Sequence, residues 1–166
     1  MKEYRYKTTA LIVKSLEEYR IHFNEFGFYG IDIIEVEFPI RCGPVARITT
    51  IIAGDDSSVA VRVFNLISKI PEDKKSRVLE VCNLLNKDCR FIKFCLEQDG
   101  DISVGYDFPV KSSDKIGAML VEIIKRTMRI LDMGYRDLIT ALYTEEELAA
   151  AFAEESDAAE NDEPEA

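Results

Sequence analysis

An α+β fold follows from three observations along this chain of 166 residues. Apolar residues recur at helical spacing in three long segments, shorter segments alternate apolar with polar residues, and consecutive alternating segments are joined by short turns. The order they give is helix, three strands, helix, two strands, helix, then an acidic tail. The length is about one domain's worth and suffices for a buried core.

The first helix is expected from Thr8 to Phe26, where Leu11, Ile12, Leu16, Tyr19, Phe23 and Phe26 recur every three or four residues, with Gly27 as its stop. The period then changes to two. Ile34, Val36 and Phe38 alternate with Glu35 and Glu37 and end at Pro39, which marks a strand with one buried and one wet face. Arg41-Cys42-Gly43-Pro44 is a turn cluster, Ala46 to Ala53 a second strand rich in β-branched residues, and Gly54-Asp55-Asp56-Ser57 the next turn. Val59, Val61 and Val63, with Arg62 among them, make a third strand. Connections this short forbid parallel crossovers, so the three strands form an antiparallel meander.

Pro71-Glu72-Asp73 opens the second helix with a proline suited to the first turn and acids that complement the helix dipole. Its apolar stripe is Val78, Val81, Leu84 and Leu85. Phe91 to Leu96 and Ile102 to Phe108 form a hairpin across Glu97-Gln98-Asp99-Gly100-Asp101, where Asp-Gly supplies the positive backbone angles of a tight turn. The last helix starts near Ser112, Ser113 or Asp114, any of which can cap it, and runs at least to Met133. Ile116, Leu120, Ile123 and Ile124 lead its apolar face. Gly134 is placed to end or bend it, and Tyr135 to Tyr143 reads as helical again.

The net charge of −10 is confined to one end. Between Thr144 and Ala166 stand ten acids and no Lys or Arg; the chain's 31 acids less these ten leave 21, matched by its 21 bases. Residues 1–143 are therefore expected to be the folded domain, and 144–166 an acidic tail with a short helical start and a disordered remainder. Cys42, Cys82, Cys89 and Cys95 form no CxxC pair and no secretory segment precedes them, which points to a reducing, cytoplasmic setting. No apolar run is long enough for a membrane span.

The residues that carry familiar chemistries are absent or wrongly spaced, so no catalytic, cofactor-binding or metal-ligating residue is assigned and a non-enzymatic protein is expected. His22 is the single histidine and reads as a surface residue of the first helix. Setting Gly100 at the sixth position of a calcium loop puts Cys95 first and Tyr106 last, neither of which is a suitable ligand. No glycine-rich loop carries a phosphate-binding fingerprint. The Arg90-Phe91-Ile92-Lys93-Phe94 run is the nearest approach to a nucleic-acid patch, but a neutral body with an acidic tail lacks the attraction to phosphate that such binding uses.

From Leu84 to Pro109 the chain reads LLNKDCRFIKFCLEQDGDISVGYDFP. The asparagine-bearing helix end at Leu85-Asn86, the Arg-Phe-x-Lys-Phe strand, the Asp-Gly-Asp turn and the strand closing on Tyr106-Asp107-Phe108-Pro109 resemble the YbjN-domain family. The resemblance implies a fold like the chaperones of type III secretion: a bent antiparallel sheet covered by helices, commonly paired as a homodimer. It implies no catalytic residues. Function is accordingly expected to be protein binding, chaperone-like or regulatory. Ile116, Leu120, Ile123 and Ile124 are named as a candidate partner or dimer surface, although covering the sheet is the favoured duty of that stripe. The alternative is a small-ligand sensor or an enzyme of unrecognised type, with Arg90, Tyr106 and Asp107 converging from adjacent strands.

Overall fold

The computed structural model describes residues 4–53, 56–110 and 115–143. The expected cap of the last helix at Ser112 to Asp114 and the acidic tail lie outside the described residues. Helix α1 (Lys7–Glu18) leads into strands β1 (Asn24–Phe28), β2 (Ile31–Pro39), β3 (Val45–Ala53) and β4 (Ser58–Ile67). A 3₁₀ turn (Glu72–Lys74) opens α2 (Lys75–Asp88), followed by β5 (Lys93–Leu96), β6 (Ile102–Pro109) and the long α3 (Ile116–Leu142). The six strands form one sheet in the order β1-β2-β3-β4-β6-β5, antiparallel at every junction.

The expected first helix is too long. It ends at Glu18; Tyr19 to Phe23 form a turn and connection, and Asn24 to Phe26 belong to strand β1 instead. The stop needs no glycine: Arg20 adopts a left-handed conformation, φ 56°, with Arg20 N–H donating to Glu17 O and Ile21 N–H to Leu16 O. That is the Schellman closure, here with arginine where glycine is usual. Phe26, read as the end of a helical stripe, is half exposed on β1, and His22 sits exposed in the connection between α1 and β1. The start of α1 is also closed from afar, because Asp56 in the β3–β4 turn accepts the Thr8 N–H at 3.3 Å.

The other departures are smaller. On α2 the buried positions are Val78 and Cys82, while Leu84 is exposed. In the β5–β6 hairpin only Gly100 takes a positive φ, +89°. The loop spans Glu97 to Asp101 as expected, with Gly100 N–H donating to Glu97 O and Glu97 N–H to Asp101 O, so the glycine alone and not the Asp-Gly pair supplies the positive angle. Gly134 neither ends nor interrupts α3. A Cβ there would lie 2.6 Å from Phe94 Cζ, so the missing side chain lets the helix settle on β5. At the other end a Cβ on Gly117 would lie 2.3 Å from Leu11 O, which sets the close crossing of α3 on α1.

The core lies between the helices and one face of the sheet. Ile34 and Val36, Ile48 and Ile52, Val59, Val61 and Val63, Ile102 and Val104 alternate into it from their strands, against Ile12 and Leu16 of α1 and Leu120, Ile124, Leu131 and Leu138 of α3. The last carbonyls of α3 are taken up by α2 and the 3₁₀ turn before it: Lys74 Nζ donates to Leu142 O, and Arg77 Nη2 to Thr140 O at 3.2 Å.

Candidate functional site

The opposite face of the sheet carries the other half of the alternation. Register places Asn24, Glu35, Thr49, Arg62, Gly105 and Lys93 in one row that crosses all six strands. The neighbouring row is Phe26, Ile33, Ile51 and Ala60, ending at Asp107. One row is polar and its neighbour is apolar up to its last member.

The charged members of the polar row are paired with groups beside it. Arg62 Nη2 lies 2.7 Å from both oxygens of Asp107, while Nη1 donates to Val61 O at 2.9 Å and Tyr106 O at 3.3 Å. Arg47 bridges Glu35 at 3.4 Å and Glu37 at 3.5 Å. Lys93 reaches round the sheet edge, where Nζ donates to Asn86 O at 2.8 Å and Cys89 O at 2.6 Å, placing a cation at the negative end of α2.

Arg90, Tyr106 and Asp107, expected to converge, do line one groove of about 520 Å3 together with Arg62, Phe91 and Lys93. Arg90 comes from the α2–β5 connection and not from a strand, and Tyr106 and Asp107 share β6. Phe91 and Tyr106 rings stand 5.6 Å apart at its rim. The helical stripe is placed differently. Ile116, Leu120 and Ile124 are buried in this chain's own core, and Ile123 is half buried against it, so three of these four side chains are enclosed within the fold.

The two edges of the sheet differ. At β5 the Asn86 carboxamide takes both backbone groups of Phe94, with Nδ2 donating to Phe94 O at 2.8 Å and Oδ1 accepting from Phe94 N–H at 2.7 Å. A side chain there stands in for a further strand. At β1 the edge is flanked by exposed aromatics: Phe26, Phe28 and Tyr29, the last 91% exposed. Sequence reading missed this edge because Asn24 to Phe26 were assigned to the first helix and Gly27 to its stop. It noted Asn86 as a motif without a role; an asparagine ending a helix just before an edge strand was the available signal.

Burial pushes the Cys82 thiol up to about 11 and raises Cys89 too, which keeps both protonated at neutral pH. Cys42 and Cys95 are exposed. Among the described residues, no group of three or more His, Cys, Asp or Glu is arranged to hold a metal, and no helix is long and apolar enough to cross a membrane.

A search among curated proteins finds no match. The YbjN family profile, described as "Putative bacterial sensory transduction regulator", matches residues 46–130, which run from β3 through the first half of α3 and include the Asn86 closure and the β4-β6-β5 groove. The chain belongs to the YbjN family.

Proposed function

We propose that this chain is a non-enzymatic, cytoplasmic regulatory protein that acts by binding protein, and that it works as a homodimer joined edge to edge through β1. The family description supports the regulatory part. The observation that carries the binding part is the contrast between the edges: β5 is closed by Asn86, whereas β1 borders an apolar corner made by the exposed Phe26 and Phe28 and the half-buried Ile33.

The sequence of β1 suits a second copy of itself. Antiparallel pairing centred on Phe26 sets Phe26 against its counterpart, Glu25 against Gly27 and Asn24 against Phe28, so no like charges face each other. A two-fold axis normal to the sheet keeps both sets of helices on one side and merges the two apolar corners on the other. Sedimentation over a dilution series tests this. A dimer that Phe26→Lys converts to a monomer with unchanged circular dichroism supports the reading; a wild-type monomer throughout contradicts it.

A second reading, small-ligand sensing, draws on the convergence of Arg90, Tyr106 and Asp107 in the groove of about 520 Å3, within the size range of ligand sites. Thermal shifts with small anionic aromatic compounds that vanish in Arg90→Ala support it; a screen without shifts counts against it.

A further inference from the structure

The β3–β4 ladder is incomplete. It joins Thr49–Ala53 to Ser58–Arg62 and stops. Val45 to Ile48 go on pairing with β2, whereas β4 beyond Arg62 pairs only with β6, with a register shift between Val63 and Ile67 and Asn65 at φ 51°. The two strands part like a fork. Between the prongs lies a groove of about 550 Å3, with Pro44 to Arg47 on one bank and Val63 to Leu66 on the other.

A fork in a sheet differs from a shallow surface groove because each bank is a strand whose ladder toward the other has ended. The β3 bank stays extended against β2 and offers backbone N–H and C=O groups at strand spacing, the feature that an added strand uses, while the β4 bank is kinked at Asn65 and offers them at its ends. The buried prong residues Ala46, Val63 and Leu66 close the floor. On the open side stand Val45, 62% exposed, and Phe64, 55% exposed. Glu35 and Glu37 share the single cation Arg47, leaving the lining with an excess negative charge.

We infer that this fork is a docking slot for an extended segment of a protein partner, one that carries apolar side chains toward Val45 and Phe64 and a lysine or arginine toward Glu35 and Glu37. The inference rests on the protein-binding reading above and adds the place and the chemistry. Each prong offers four residues, so the segment seated in it spans ~13 Å. Because β3 and β4 are antiparallel, it runs antiparallel to one bank and parallel to the other. Charge decides the occupant: the chain's own tail brings ten acids and no base to a lining that is already negative, so a basic, apolar strand from another protein is the complementary one.

The test uses the full chain and three fluorescein-labelled octapeptides: alternating Val and Lys, alternating Val and Glu, and the Val/Lys peptide with prolines in place of two central valines. Anisotropy is expected to show the Val/Lys peptide binding, and the other two binding at least about tenfold more weakly, because one repels the acids and the other lacks ladder donors. Phe64→Ser is expected to weaken the Val/Lys peptide by about tenfold, as loss of one well-packed anchor does, while Phe26→Lys leaves it unchanged. Amide shifts should centre on 45–48 and 63–66. Equal binding of the Glu peptide, shifts centred on β1, or indifference to Phe64→Ser each overturns the slot. So does dissociation of a dimer by Phe64→Ser, which would make the occupant a second copy. Failure of all peptides with an intact β1 dimer removes the slot alone, whereas failure of both removes the protein-binding reading.

Discussion

The side-chain amide of Asn86, at the end of α2, hydrogen-bonds both the N–H and the C=O of Phe94 and so gives the β5 edge the partner that a seventh strand would supply. The Phe94 side chain is buried meanwhile, its ring filling the space left by the missing Cβ of Gly134. One asparagine thus protects an edge and fixes the strand that seats α3.

Asn86→Ala is expected to destabilise the chain by about 1–3 kcal/mol, because two part-buried backbone groups lose their partner at once. Asn86→Asp restores at most the acceptor half. Urea denaturation monitored by circular dichroism reads the loss, and hydrogen exchange should show Phe94 as the amide whose protection falls most.

The two helical glycines rank in a predictable order. Alanine gains roughly 1 kcal/mol of helix propensity over glycine, yet overpacking costs about 1–3 kcal/mol or more. At Gly134 the nearest atom is the end of the Phe94 ring, which can shift; at Gly117 a backbone oxygen, Leu11 O, stands 2.3 Å from the new Cβ and cannot move without displacing α1. Gly117→Ala should therefore lower the melting temperature more than Gly134→Ala. Equal effects would mean that the α1–α3 crossing is looser than the structure shows.

Asp56→Ala removes the acceptor that caps α1 from the β3–β4 turn and should cost about 1 kcal/mol. Asn retains the acceptor and tolerates the left-handed backbone at φ 63°, so Asp56→Asn should lie close to wild type. Thermal melts of the two variants side by side check the pair.

Burial raises the Cys82 thiol to about 11 from 9.0, with the Cys95 charge adding to the effect. The unfolded chain releases this proton near pH 9 and the folded chain holds it, so the stabilisation is complete below pH 9 and drains away between pH 9 and 11. The stability of the wild type should fall more steeply across that window than that of Cys82→Ala. At pH 8 a thiol reagent should modify the exposed Cys42 and Cys95 first and reach Cys82 only on unfolding.

Much of the architecture was legible because burial imposes a period on the sequence. The alternation at Ile34 to Phe38 and Val59 to Val63, the short turns between strands and the long stripe of α3 each specified an element and its inward face. What escaped was set by single residues acting against their type. Arg20 ends α1 where no glycine warns of it, so Phe23 and Phe26 kept an apparent helical phase and the edge strand disappeared from view. Convergence of Arg90, Tyr106 and Asp107 could be guessed from a hairpin, but Arg62, their central partner, arrives from a strand far off in sequence, as register alone decides. The parting of β3 from β4 left no mark that composition could show, since both prongs read as ordinary strands.

The claim that the uncovered side of this sheet is a contact surface entered from the β1 edge is most directly tested by amide hydrogen exchange at low and high protein concentration. Protection at Asn24 to Phe28 that rises with concentration, while Phe94 stays equally protected in both samples, is the predicted result. Unchanged exchange along β1, or concentration-dependent protection on the exposed side of α3 instead, would contradict it.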